Sequence, residues 1–412
     1  MKNIVALLLA GGRVDELLCL TSRRAKAALP IFGIYRFIDF ALSNCMHAAI
    51  DNIGVLSQYR PHALMRHIGS GEHWDFTGRQ RSVRILPPYS GHAGSDWYQG
   101  TADAVYQNIA FIEEFSPEHV LIASGDHVYR MDYRPLIQFH IDHNADATVC
   151  FTHVPTVHTR FGYGMIDAHD RLIAYEEKPS SPPSDLVSMT LYVFKTRVLI
   201  DVLRANAGMS SHEFGRDIIP SMITDYKVYG CLHDGYWAYA RSINSYYRTN
   251  MDFLEGKIDL HAWQIRTNLL ERCAHRDRLP ARIDGHAVNS VIGDECVVEG
   301  SVEDSILSPG VIIEEHAVVK HAVIFHDTVV HRHAHISRAI CDKDVHIHDG
   351  AEIGLRGDDV PSKKFGALLN TGITVVGRKA TIAHNVRIGA NSIIMPSAHV
   401  TAMDIPPGST VG

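Results

Sequence analysis

The chain has 412 residues, 46% hydrophobic and 21% charged, which is enough apolar material for a large core and two domains. A formal net charge of −7 argues against nucleic acid or an anionic membrane as partner, and no apolar run approaches the length of a membrane span. Seven cysteines, an odd number with no CxxC pair, fit reduced thiols and a cytoplasmic protein, and the first apolar run is too short for a signal peptide.

Ile4–Leu9 predicts a buried parallel strand, and Ala10-Gly11-Gly12 ends it in a turn where bare backbone can meet a ligand. Lys26 follows within one loop's reach. A strand, a glycine turn and a basic residue suit a phosphate, although Gly-Gly also serves simply to turn the chain. Ile53–Leu56 is a second strand, and Gln58 lies at its C-terminal end, where it reads either a base edge or solvent. Residues 69–95, rich in Gly, Ser, Arg and Pro, read as a long mobile loop.

Trp97-Tyr98-Gln99-Gly100-Thr101 leads into a predicted helix over 102–114. Its capped N-terminus either receives a phosphate or base acceptor or is an ordinary cap. Val120–Ala123 predicts a third strand ending in Ser124-Gly125-Asp126-His127, and Asp126 either holds Mg²⁺ or caps a turn. A strand over 147–153 is followed by Phe161-Gly162 and by Glu176-Glu177-Lys178-Pro179. Lys178 either points its charge into a pocket or joins a solvated cluster. Ser188 opens a strand over 188–194, and Tyr236-Trp237-Ala238-Tyr239-Ala240-Arg241 precedes a helix over 242–255.

Residues 256–285 predict a linker. Beyond it Ile306, Ile312, Val318, Ile324, Val330 and Ile336 recur every six residues, as do Val376, Ile382, Ile388, Ile394 and Val400. Neither helix nor strand has that period, whereas a triangular β-coil does. A loop with Gly350, Gly354, Gly357 and Pro361 interrupts the arrays near 341–372. Eight histidines fall between 316 and 348. A metal or pH-sensing cluster is one reading; exposed coil positions that tolerate His are the other, favoured because no Cys or carboxylate spacing completes a site.

These motifs resemble the ADP-glucose pyrophosphorylases, or glucose-1-phosphate adenylyltransferases, over essentially the whole chain. The matches include Leu9-Ala10-Gly11-Gly12, Arg24-Ala25-Lys26, Tyr35-Arg36, Ile38-Asp39-Phe40, the Trp97–Val105 string, Gly125-Asp126-His127 and Glu177-Lys178-Pro179. The resemblance implies a Rossmann-like mixed-sheet nucleotidyltransferase domain over 1–255, the linker, and a left-handed parallel β-helix over 286–412. It implies that Lys26 and Asp126 are catalytic, with Asp126 a Mg²⁺ ligand. It also implies that Gly11, Gly12, Gln58, Tyr98, Gln99, Gly100, Thr101, Gly162, Glu177, Lys178 and Ser188 bind substrate.

Several positions depart from the family. Its second loop glycine is Val14, its catalytic arginine falls on Glu16, and an activator-site lysine on Ile34. The glycine after Ser-Met is Thr190, the second metal aspartate is Tyr239, and a further glycine is Arg241. The resemblance therefore implies a subunit of glycogen- or starch-type glucan synthesis that is catalytically impaired. It would act as a regulatory or structural subunit binding glucose 1-phosphate, ADP-glucose or ATP. It would assemble as a homo- or hetero-tetramer with a catalytic paralogue. The alternative is an active enzyme in which Arg13 or Arg23 has taken over. Acetyltransferase–uridylyltransferase fusions share both folds, and the coil carries Asn385 and Ser392; stacking and oligomer contact are the preferred role for it.

Overall fold

The apolar runs predicted as strands form the centre of a nine-stranded mixed sheet. Strand β1 (Ile4–Leu9) pairs in parallel with β2 (Asn52–Leu56) on one side and β4 (His119–Ser124) on the other. β2 pairs in parallel with β3 (Ser82–Leu86). On the far side β8 (Leu186–Lys195) runs antiparallel to β4, to β5 (Ala147–His153) and to β6 (Gly162–Ile166). β7 (Leu172–Glu177) pairs antiparallel with β6, and β9 (Val228–Leu232) in parallel with β5. Because β1, β2 and β4 are parallel, their C-terminal ends share one edge, where open α/β sheets bind ligands.

The structure, a computed structural model, describes residues 3–89, 97–269, 279–357 and 359–412. Packing divides it into two units. One contains residues 1–12, 37–237 and 264–266; the other contains residues 13–36, 238–263 and 267–412. Among the described residues, no helix is long and apolar enough to cross a membrane.

Two local readings change. The stretch 69–95 is not one loop: Glu72–Trp74 forms a helical turn with Trp74 fully buried, and Ser82–Leu86 is β3. Arg84 disguises this strand; its guanidinium pairs with Glu114 at 2.6 Å. Residues 90–95 of that stretch and 270–278 of the predicted linker lie outside the described residues. The helix predicted over 102–114 breaks into Thr101–Tyr106 and Ile109–Phe115. Asn108 sits at the break and donates to Ala104 O at 2.8 Å and to Tyr98 Oη at 2.9 Å, so its amide competes with the helix ladder.

The six-residue period becomes a coil of two- and three-residue strands in three parallel seven-stranded sheets, consistent with a left-handed β-helix. Its core is one column of Val, Ile, Leu, Ala and Cys. Ile313 stacks on Val330, Val330 on Ile347, and Ile347 on Ile382. The coil therefore continues past 341 through Ile353, and the insertion begins only after it. The sequence period fails at Asp342, which is 1% exposed and paired with Arg24, itself 6% exposed. Cys341 fills the core slot of this turn, pairing with Ile324 one residue earlier than the six-residue period expects, and Asp342 beside it is buried against a partner from the 13–36 segment. Removing one member of such a pair strands the other. Asp342→Ala should therefore lower the unfolding free energy in urea by about 3–5 kcal/mol, and a loss under about 1 kcal/mol would contradict the pairing's importance.

Candidate active site

In the first unit the candidate residues form a ring of contacts around the C-terminal edge of the sheet. The backbone after β1 crosses the end of β2: Ala10 N donates to Leu56 O at 2.9 Å and Tyr59 N to Gly11 O at 3.1 Å. A Cβ on Gly11 would lie 3.2 Å from Gln58 N, so glycine lets these segments close; at Gly12 a Cβ would meet nothing within 4 Å. Gln58 does not point free. Its amide clasps the Tyr98 backbone, accepting from Tyr98 N at 2.8 Å and donating to Tyr98 O at 3.3 Å. Burial pushes the Tyr98 phenol up to about 12.

The turn at Gly100 is fixed by the 211–217 segment. A Cβ on Gly100 would come within 2.2 Å of His212 O. Thr101 donates to Glu213 Oε2 from its N–H at 3.1 Å and from Oγ1 at 2.6 Å, and Ala102 N donates to His212 O at 2.8 Å. The N–H groups of Thr101 and Ala102 are therefore spent on protein acceptors, which favours the ordinary-cap alternative for this helix start. Thr101 and Gly100 shape the site, and the N–H of Gln99 is held by Asp103 Oδ2 at 2.8 Å.

Gly162, Glu177, Lys178 and Ser188 do come together, around Tyr175. Cβ atoms on Gly162 and Gly215 would lie 2.6 Å and 2.4 Å from Glu177 Oε2, so both glycines make room for that carboxylate. Burial raises the Tyr175 phenol well above its usual range, and its hydroxyl meets Ser188 and Glu177. Lys178 is held in the left-handed region (φ 52°) with its N–H on Phe161 O at 2.9 Å, and its ammonium lies 3.4 Å from Glu177 Oε1. Trp237 closes the ring: it packs edge-on against Phe161, with centroids 5.6 Å apart, and against His127 at 5.4 Å. Beside His127, the Asp126 carboxylate accepts from Ser124 Oγ at 2.6 Å and is about one-fifth exposed.

Lys26, Glu16 and Tyr239 belong to the second unit. Lys26 is 2% exposed, and its Nζ lies 4.4 Å from the centroid of the Tyr239 ring. Arg241 donates to Tyr239 Oη from Nη1 at 2.7 Å and to Glu16 Oε1 from Nε at 3.0 Å. Three of the positions that depart from the expected motif, Glu16, Tyr239 and Arg241, thus form one connected network. Arg13 turns to Asp15 at 2.6 Å on the surface. Ile34 lines an open cleft with Phe253, Val291 and Leu307. Ser392, the acyltransferase-type serine, is fully buried in the coil.

The nucleotidyl transferase family matches residues 5–256, and a GlmU-like C-terminal hexapeptide family matches residues 277–376. The glucose-1-phosphate adenylyltransferase of Fervidobacterium nodosum is 40% identical over 96% of this chain and 95% of its own. Those of Acetivibrio thermocellus and Thermotoga neapolitana are 37% and 39% identical, covering 98% and 96% of this chain and 95% and 94% of theirs. The chain belongs to the glucose-1-phosphate adenylyltransferase family.

Within this adenylyltransferase fold, sequence reasoning missed Glu213, Gly215, Tyr175 and Trp237 as site-forming residues. The available signal for Glu213 and Gly215 was the stretch Ser211–Pro220, which also resembles the family's pattern at Ser211-His212, Phe214-Gly215, Asp217 and Ile219-Pro220. Arg241 was noted only as a lost glycine. Thr190 reveals a different kind of departure. It keeps a left-handed backbone (φ 52°) at the position of the family's glycine, where β8 slips register against β5. A β-branched residue is strained there, at about 1–2 kcal/mol. Thr190→Gly should therefore raise the unfolding free energy by about 1 kcal/mol after the glycine's own entropy cost. Urea denaturation checks this, and a destabilised variant would contradict it.

Proposed function

We propose that this chain is an ADP-glucose pyrophosphorylase-family subunit of glycogen- or starch-type glucan synthesis that binds sugar phosphate or sugar nucleotide but turns over poorly by itself. The observation that carries this is the closed network of Glu16, Tyr239 and Arg241 beside Lys26. The family's named reaction joins the adenylyl group of ATP to glucose 1-phosphate. Its transition state carries phosphate charge, and catalysis rests on cations aimed at that charge. Here the guanidinium is engaged by a carboxylate, and that carboxylate would repel a triphosphate.

Asp126, a hard oxygen donor oriented by Ser124, suits Mg²⁺ held mainly by phosphate oxygens. Bound there, the ion would neutralise phosphate charge. Tyr239 adds no second carboxylate, and its hydroxyl is engaged by Arg241. Lys178 and Glu177 would bind the sugar phosphate, with Gly162 and Ser188 shaping their pocket. Assembly as a homo- or hetero-tetramer, in which a catalytic paralogue supplies the chemistry, fits this division of labour.

A second reading is an active enzyme in which Arg241 supplies the guanidinium that position 16 lacks; the short distance from Arg241 to Glu16 favours it. Turnover separates the two. Loss of one charge-stabilising donor costs roughly 10²–10³ in rate, so the purified chain should fall well below the ordinary enzyme rate of about 10 per second. Restoring Glu16→Arg alone would face two guanidiniums. The informative variant is Glu16→Arg/Tyr239→Asp/Arg241→Gly, which should gain roughly 10²-fold in ADP-glucose formation. Steady turnover of the parent near 10 per second, abolished by Arg241→Gly, would establish the second reading instead.

A further inference from the structure

We propose that one edge of the β-coil carries a binding site for a divalent first-row transition-metal ion such as Zn²⁺, built from Glu314, His331 and Asp349. The coil's register brings these residues together. Glu314 N donates to Val330 O and His331 N to Ile347 O, so each residue sits on the next turn of the coil. The ligand atoms of Glu314, His331 and Asp349 lie within 4.8 Å of one another. Ligands around a tetrahedral Zn²⁺, at about 2.0–2.2 Å from the ion, lie about 3.4 Å apart. Small rotamer changes therefore close the set. One imidazole and two carboxylates suit a borderline cation better than a purely oxygen-lined site would.

His331 supplies a separate indication. Its Nδ1 is 3.0 Å from Glu314 Oε1, separated by 17 residues in sequence. Nδ1 is therefore the nitrogen turned toward the carboxylate, and its distance from that oxygen is close to the spacing of two ligands on one ion.

The surroundings hold these groups in place. The Arg332 N–H donates to Glu314 Oε2 at 3.1 Å and orients the carboxylate, while the Arg332 guanidinium turns away to Glu315 at 3.3 Å. His348 stacks on His331 with ring centroids 4.9 Å apart and planes 1° apart, and His384 stacks on His348 at 4.9 Å. Parallel rings cannot both direct a lone pair at one ion, so His348 walls the site and is not a ligand. Asp349 is exposed, leaving a remaining coordination position to water. An ion here would clamp three successive turns of the coil.

The test uses the full-length chain, free of any tag and stripped with chelator, titrated with ZnCl₂ by calorimetry and followed by thermal unfolding. The parent should take up one equivalent that His331→Ala lacks, with affinity at that site reduced roughly 100-fold or more. Asp349→Asn, isosteric and at an exposed position, should weaken the same equivalent while the circular dichroism stays that of the parent. Zn²⁺ should raise the parent's melting temperature more than that of either variant. Equal stoichiometry and affinity in parent and variants, or no Zn²⁺ uptake by the parent at micromolar concentration, would overturn the proposal.

Discussion

The guanidinium of Arg241 bonds the carboxylate of Glu16 and the phenol of Tyr239 at once, and the proposed loss of turnover rests on that junction. A charge-assisted bond of this kind contributes about 1.5–3 kcal/mol when desolvated, and less here because Arg241 and Glu16 are each about one-third exposed. On the proposed reading, a triphosphate would compete with Glu16 for the guanidinium and also approach its negative charge. Lys26 is held against the face of the Tyr239 ring, a contact favoured by about 2 kcal/mol when buried.

The segment that carries Lys26 is anchored by the coil-containing unit. Arg24, two positions before it, forms the buried pair with Asp342. Ser308 Oγ donates to Gly33 O at 2.8 Å, Asn250 Oδ1 accepts from Phe32 N at 3.0 Å, and Tyr246 Oη donates to Pro30 O. The coil is therefore more than a stack for assembly. It holds the Arg24 side chain before the lysine and the Gly33 carbonyl after it, and the helix Ile243–Leu254 holds Phe32 and Pro30. In the other unit Glu177 is fixed differently, with Tyr175, Gly162 and Gly215 around its carboxylate.

Elements whose cause is local were legible in the sequence. The short apolar runs gave β1, β2 and β4, and the six-residue spacing gave the coil. Ser242 caps the helix Ile243–Leu254 through a reciprocal bond with Ser245. What escaped depends on partners far along the chain. Arg24 and Asp342 are 318 residues apart, and Arg241 and Glu16 are 225 apart. Seen singly, Asp342 is an interruption of the coil period and Arg241 a lost glycine; only the fold shows each to be half of a pair. The histidine-rich stretch was opaque for the same reason, since Glu314 and Asp349 approach His331 through coil register. At the helix that starts at Thr101, the sequence left two readings open because the Glu213 and His212 acceptors of its first amides lie more than a hundred residues away.

On the proposed reading sugar-phosphate recognition survives while triphosphate recognition is disabled, so the two should separate in a binding measurement that needs no turnover. Calorimetric titration of the purified chain with glucose 1-phosphate, and separately with ATP in excess Mg²⁺, addresses this directly. Measurable binding of glucose 1-phosphate that disappears in Lys178→Ala, together with weak binding of Mg-ATP, is the expected result. Tight binding of Mg-ATP with no binding of glucose 1-phosphate would contradict it.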